Sequence, residues 1–89
     1  MGFRLVYTKK AENDSKKLEK NKPLLKQKAV ELLNIIRDYP FQTPSPYEKL
    51  IGDLNGMYSR RININHRIVY EVIKEKKVVK ILSMYSHYE

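Results

Sequence analysis

Two different periodicities divide this chain, and they meet at a cluster of prolines. Leu25, Ala29, Leu32 and Ile36 recur at steps of four, three and four, and Leu33 widens the stripe. That spacing puts them on one side of a helix. From Met57 onward the apolar residues crowd into runs rich in β-branched and aromatic side chains: 57–62, 66–74 and 78–88. Such runs read as strands. Pro40, Pro44 and Pro46 separate the two regimes. The residue before a proline avoids the α region, so Pro40 ends the helix. The segment from Phe41 to Pro46 reads as a stiff connector.

The flanks complete the layout. Residues 3–7 read as a first strand, and Thr8 can cap a helix by accepting a backbone N–H bond. That helix, 9–20, has only a thin apolar stripe, Ala11 and Leu18, so most of it is solvated. Pro23 suits the first turn of the second helix, where its missing N–H is no loss. Asn63 and Asn65 supply turn chemistry between two of the C-terminal strands. Glu75, Lys76 and Lys77 do so between the last two. Short connections make these strands an antiparallel meander. The expected fold is α+β, in the order β-α-α-β-β-β. Two N-terminal helices pack on an antiparallel sheet of about four strands, as one domain spanning 1–89. The helices cover one face of the sheet, leaving the other open to a ligand.

With 89 residues, a working site is expected in a surface cleft rather than a deep cavity. The chain has no cysteine, which rules out disulfides and thiolate metal sites and fits a reducing cytoplasm. No segment has the length of a transmembrane helix, and the N-terminus lacks the apolar run of a signal peptide. A cytoplasmic protein without a membrane partner is expected. Eighteen Lys and Arg against ten Asp and Glu leave a net charge of +8. Such an excess concentrates polyanions, nucleic-acid backbones foremost. It would equally serve solubility or an acidic protein partner.

Three clusters can carry chemistry. On the strand 57–62, Ser59-Arg60-Arg61 places adjacent arginines on opposite faces, and Arg60 reads as an ordinary surface residue. His66-Arg67 opens the next strand, where Ile68, Tyr70 and Val72 form the core side. Arg67 therefore shares the other side with Val69 and Glu71, and pairing with Glu71 is the plain structural alternative. Tyr85-Ser86-His87-Tyr88 joins an imidazole to three hydroxyls near the chain end. With only two histidines and no cysteine, a protein-built zinc site is not expected, and no cofactor is implied. Gly2, Gly52 and Gly56 are isolated, so there is no glycine-rich phosphate loop. What is left is metal-free acid–base chemistry beside arginine, as RNA self-cleavage requires.

The stretch Glu48-Lys49-Leu50, Leu54, Gly56, Ser59-Arg60-Arg61-Ile62 and His66-Arg67-Ile68-Val69-Tyr70, with the terminal Tyr85-x-His87-Tyr88, closely resembles the YoeB/Txe branch of the RelE-superfamily toxins. Members act as ribosome-dependent mRNA interferases and are held inactive by a YefM/Axe-type antitoxin. The resemblance implies that Glu48 is the general base, Arg67 the phosphate-contacting arginine and His87 the general acid. It implies further RNA or phosphate contacts from Arg61, Lys49 and Tyr88, with mRNA in the ribosomal A site as substrate. This chain departs from the pattern at Met57-Tyr58, where a pair of aromatics is usual, and in the Glu89 that follows Tyr88. A homodimer is neither required nor opposed by these residues. A gyrase-inhibiting ParE-type toxin of the same fold would need no Glu-Arg-His set. A non-enzymatic RNA- or ribosome-binding protein would use the charge alone.

Overall fold

A computed structural model describes residues 2–39, 48–49, 56–63 and 66–84, with only the backbone placed at 48 and 49. Strand β1 (Arg4–Tyr7) runs directly into helix α1 (Lys9–Asn21). Thr8 caps this helix, its Oγ1 accepting from the Ala11 N–H at 3.1 Å. Lys22, with φ −144° and ψ 69°, breaks the helical path, and Pro23 takes the first turn of α2 (Pro23–Asp38). The break follows from the restriction that a proline places on its predecessor. Strands β2 (Glu48–Lys49), β3 (Met57–Arg61), β4 (Arg67–Ile73) and β5 (Val78–Ser83) complete the chain order.

The sheet order is β1-β5-β4-β3-β2. Its centre is the expected meander, with β3, β4 and β5 antiparallel in sequence. A tight 3-10 turn over Lys74–Lys76 joins β4 to β5, ending at Lys77 in the left-handed region. The expected helices on a sheet of about four strands hold, with two refinements. Strand β1 lies parallel to β5, with Arg4 beside Val78 and Tyr7 beside Ile81. The chain crosses over through two helices before returning, and a parallel partner needs such a long crossover. The two-residue strand β2 adds a short member at the opposite edge, and position 48 stands on it. Two residues are too short for an alternating pattern to register.

Both helices pack on one face of the sheet. Leu18, Ala29, Leu32, Leu33 and Ile36 meet Ile68, Tyr70, Val79 and Ile81 in one buried cluster. The α2 stripe is the expected one, although Leu25 at its start is only partly buried. Strand β5 is described as far as Ser83, and 85–88, which the sequence placed on the same strand, lie outside the described residues. Among the described residues no helix is long and apolar enough to cross a membrane.

Candidate functional site

Strand register builds a row of side chains on the face away from the helices. Ser59 on β3 stands opposite Val69 on β4, and Val69 stands opposite Ser83 on β5. One step further along the same face, Arg61 and Arg67 are direct partners. Residues directly opposite in an antiparallel pair share a face with Cβ atoms about 5 Å apart. The two guanidinium stems therefore rise side by side.

The connection between β3 and β4 holds this pair in register. The Asn63 Oδ1 accepts from the His66 N–H at 2.8 Å. In return the His66 carbonyl accepts from the N–H groups of Ile62 and Asn63, at 2.8 and 3.2 Å. Ile62 is fully buried and His66 nearly so. Asn63 thus has the turn role read from the sequence; Asn65 lies outside the described residues. His66, read as a plain turn-flanking residue, is part of the packed floor of the turn.

The arginines differ in surroundings. Arg61 is exposed, while Arg67 is half-buried and its Nη1 donates to Ser59 Oγ at a long 3.4 Å. Ser59 is itself buried. The position opposite Glu71 on β5 is held by Lys80, and no ion pair between Arg67 and Glu71 is among those formed by the described residues. Arg60 corrects the sequence reading: it is 1% exposed and belongs to the helix-covered face. Its Nε donates to the Tyr70 hydroxyl at 3.2 Å and its Nη2 to the Tyr39 carbonyl at 3.1 Å. The signal was present, because Arg60 alternates with Tyr58 and Ile62, both on the core side. Tyr58 stacks on Tyr70 with ring centroids 5.9 Å apart, which turns it away from the open face.

The other candidates are placed by backbone alone or not at all. Glu48 pairs in register with Ser59, and Lys49 with Tyr58. The Glu48 position thus falls on the row through Ser59, Val69 and Ser83. His87 and Tyr88 lie outside the described residues. Strand β5 ends beside Val69 and runs against β4, so the chain leaves it toward the Arg67 end of the sheet.

A separate concavity of about 600 Å³ opens between β1 and the two helices, with Leu5, Tyr7, Val30 and Leu33 among its walls. It flanks β1, at the far edge of the sheet from β2 and β3. Burial pushes the Tyr7 hydroxyl above the ordinary tyrosine value, and the nearby Arg37 charge partly opposes the shift.

Comparison with known proteins matches this architecture along nearly its full length. A toxin from Agrobacterium tumefaciens described as YoeB/ParE superposes with a TM-score of 0.88 at 28% identity, covering 96% of this chain and 99% of that one. The Staphylococcus aureus YoeB, solved in a YoeB–YefM complex and as a YoeB dimer, superposes at 0.82 with 36% identity, covering 97% and 98%. A "Toxin YoeB" of Synechocystis is 37% identical over 71 residues, 80% of this chain and 79% of that protein. Two helices packed on one face of a mixed sheet is the fold shared with these RelE/YoeB-like toxins. The family profile described as "YoeB-like toxin of bacterial type II toxin-antitoxin system" matches residues 7–88. The chain belongs to that family.

Proposed function

We propose that this toxin is a metal-independent, cytoplasmic endoribonuclease that cuts mRNA in the ribosomal A site and so stops translation. The observation that carries the reading is the Arg61–Arg67 pair at the end of the sheet toward which the chain bearing His87 departs. Two guanidinium groups on one face suit the non-bridging oxygens of a single phosphate, where charge builds as the phosphorus is attacked. Arg67, steadied by Ser59, is the main phosphate ligand in this scheme, and the exposed Arg61 reaches the RNA from beside it.

Glu48 removes the proton from a ribose 2′-OH, whose oxygen forms a bond to the adjacent phosphorus. The bond from phosphorus to the 5′-oxygen breaks, and His87 donates the proton that the leaving oxygen takes up. Lys49 and Tyr88 supply further RNA contacts. The requirement for a 2′-OH separates RNA from DNA. Support for the geometry comes from chain reach: three residues from Met84 span at most about 10 Å. Neighbouring strands are about 4.8 Å apart, so His87 has the reach to stand over Arg67.

A YefM-type antitoxin is the proposed inhibitor, by analogy with the S. aureus YoeB–YefM complex, and a dimer is proposed from the YoeB dimer of that organism. An acidic, partly disordered antitoxin tail would satisfy the +8 field when the ribosome does not. The deciding experiment is end analysis of the cleaved RNA, using naked RNA with EDTA at high toxin concentration. The expected fragments carry a 2′,3′-cyclic or 3′-phosphate and a free 5′-OH. A 5′-phosphate downstream would overturn the scheme, because it needs water or hydroxide as nucleophile. Glu48→Ala is expected to abolish cleavage and toxicity while ribosome binding survives; retained toxicity would favour a passive binder.

A further inference from the structure

The helix α1 carries a carboxylate where a solvated helix should have none in its apolar stripe. Asp14 lies three residues after Ala11 and four before Leu18, and it is 3% exposed. Burying a carboxylate is costly unless it is well bonded. Its Oδ2 accepts from the Met84 backbone N–H at 3.0 Å and from Lys10 Nζ at 3.1 Å. The Lys10 side chain is largely exposed, so water screens that pair and it offsets little. The bond across 70 residues to Met84 is the one made in the interior.

Met84 is a pivot. It follows Ser83, the last residue of β5, whose partner Val69 closes the ladder. The register slips between Val69 and Tyr70, leaving Leu82 as an extra residue in β5. Thr8 takes up the carbonyls there: its N–H donates to Ile81 at 3.1 Å and its Oγ1 to Leu82 at 3.0 Å. Asp14 takes up the next N–H, and the Met84 side chain is fully buried. Thr8 and Asp14 therefore hold the chain from one side at three points, residues 81, 82 and 84.

We propose that Asp14 is a positioning residue for proton donation: through the Met84 N–H it fixes the point and direction from which the segment bearing His87 leaves the sheet. The proposal rests on the reading of His87 as general acid. An error of about 1 Å in a reacting group can cost roughly a hundredfold in rate. Loosening the pivot three residues upstream leaves the arginines and their register intact, so the loss falls on leaving-group protonation and not on RNA binding.

The test uses ribosome-bound mRNA carrying a normal phosphodiester at the cut site, or one whose 5′-bridging oxygen is replaced by sulfur. A thiolate leaves without protonation. On the oxygen substrate at saturating ribosomes, Asp14→Ala is expected to slow cleavage about 10–100-fold, with the apparent KM within threefold of about the parent's. On the sulfur substrate most of that loss should vanish, as it should for His87→Gln. Asp14→Asn keeps a carbonyl acceptor for Met84 and is expected to restore the rate. Lys10→Ala should change nothing. Should Asp14→Ala not fold, Asp14→Glu keeps the charge but displaces the acceptor, and the same sulfur-suppressed loss is expected. If His87→Gln is slow and sulfur rescues it, but the Asp14 variants are equally slow on both substrates, Asp14 is merely structural and the proposal is overturned. If His87→Gln cuts the oxygen substrate at the parent rate, the acid assignment itself fails, which is a separate result.

Discussion

Arg61 and Arg67 face each other directly across β3 and β4, two like charges on adjacent strands of the open face. Such a pair works against folding. Directly opposed like charges destabilise a sheet by roughly 0.2–1 kcal/mol. Arg61→Ala is therefore expected to raise the urea midpoint slightly while lowering RNA cleavage. The gain should shrink as salt is added, because exposed charges are screened. A fall in stability on removing Arg61 would mean that the pair is not in repulsion.

The buried guanidinium of Arg60 gives a second prediction. Tyr70→Phe removes the hydroxyl that accepts from Nε and leaves the ring in place. A buried donor losing an acceptor costs about 1–3 kcal/mol, to be read from chemical denaturation. An unchanged midpoint would show that the guanidinium does not depend on that hydroxyl.

Leu32 and Leu24 share helix α2 but not an environment. Leu32 is buried in the central cluster, whereas Leu24 is 79% exposed. Leu32→Ala should cost roughly 2–5 kcal/mol by loss of burial and a residual cavity. Leu24→Ala should stay within about 0.5 kcal/mol. Equal losses in a denaturation series would contradict the orientation of α2.

Alkaline stability reports on Tyr7. Its folded-state pKa is raised, first by burial and against the influence of Arg37. The unfolded tyrosine, near a pKa of about 10, then ionises before the folded one. Its contribution is fully present below the unfolded value and is lost as pH rises from there through the folded value. Tyr7→Phe should make the decline of the melting temperature above about pH 10 shallower. A parallel decline in both proteins would show that Tyr7 is not linked to folding.

Helix α2 was legible because three local signals agreed: Pro23 at its start, the stripe through Ala29, Leu32 and Ile36, and Pro40 beyond its end. The core side of β4 was equally plain in Ile68, Tyr70 and Val72. Contacts made between distant parts of the chain were not. The pairing of β1 with β5 has no local signature, and β2 is too short to show one. Arg60 and Asp14 were obscured by their charge. Alternation and helical spacing both placed them inward, but whether a charged group is buried depends on partners such as Tyr70 and Met84 that only folding supplies. The Arg61–Arg67 opposition depended on how the chain turned after Ile62. The roles assigned to Glu48, Lys49, His87 and Tyr88 came from family resemblance, to which the register adds only a place for positions 48 and 49.

The parallel seam between β1 and β5 also sets a schedule. Thr8 bonds to Leu82 across 74 residues, so β1 is made well before the strand it pairs with. At about 5–20 residues per second of synthesis, that wait is roughly 4–15 s. Until β5 emerges, β1 has no sheet to join, and a nascent chain halted before residue 78 lacks the strand that links β1 to β4. The sheet order β1-β5-β4-β3-β2 thus cannot be completed, and the row of side chains on its open face cannot be set, until β5 has been made.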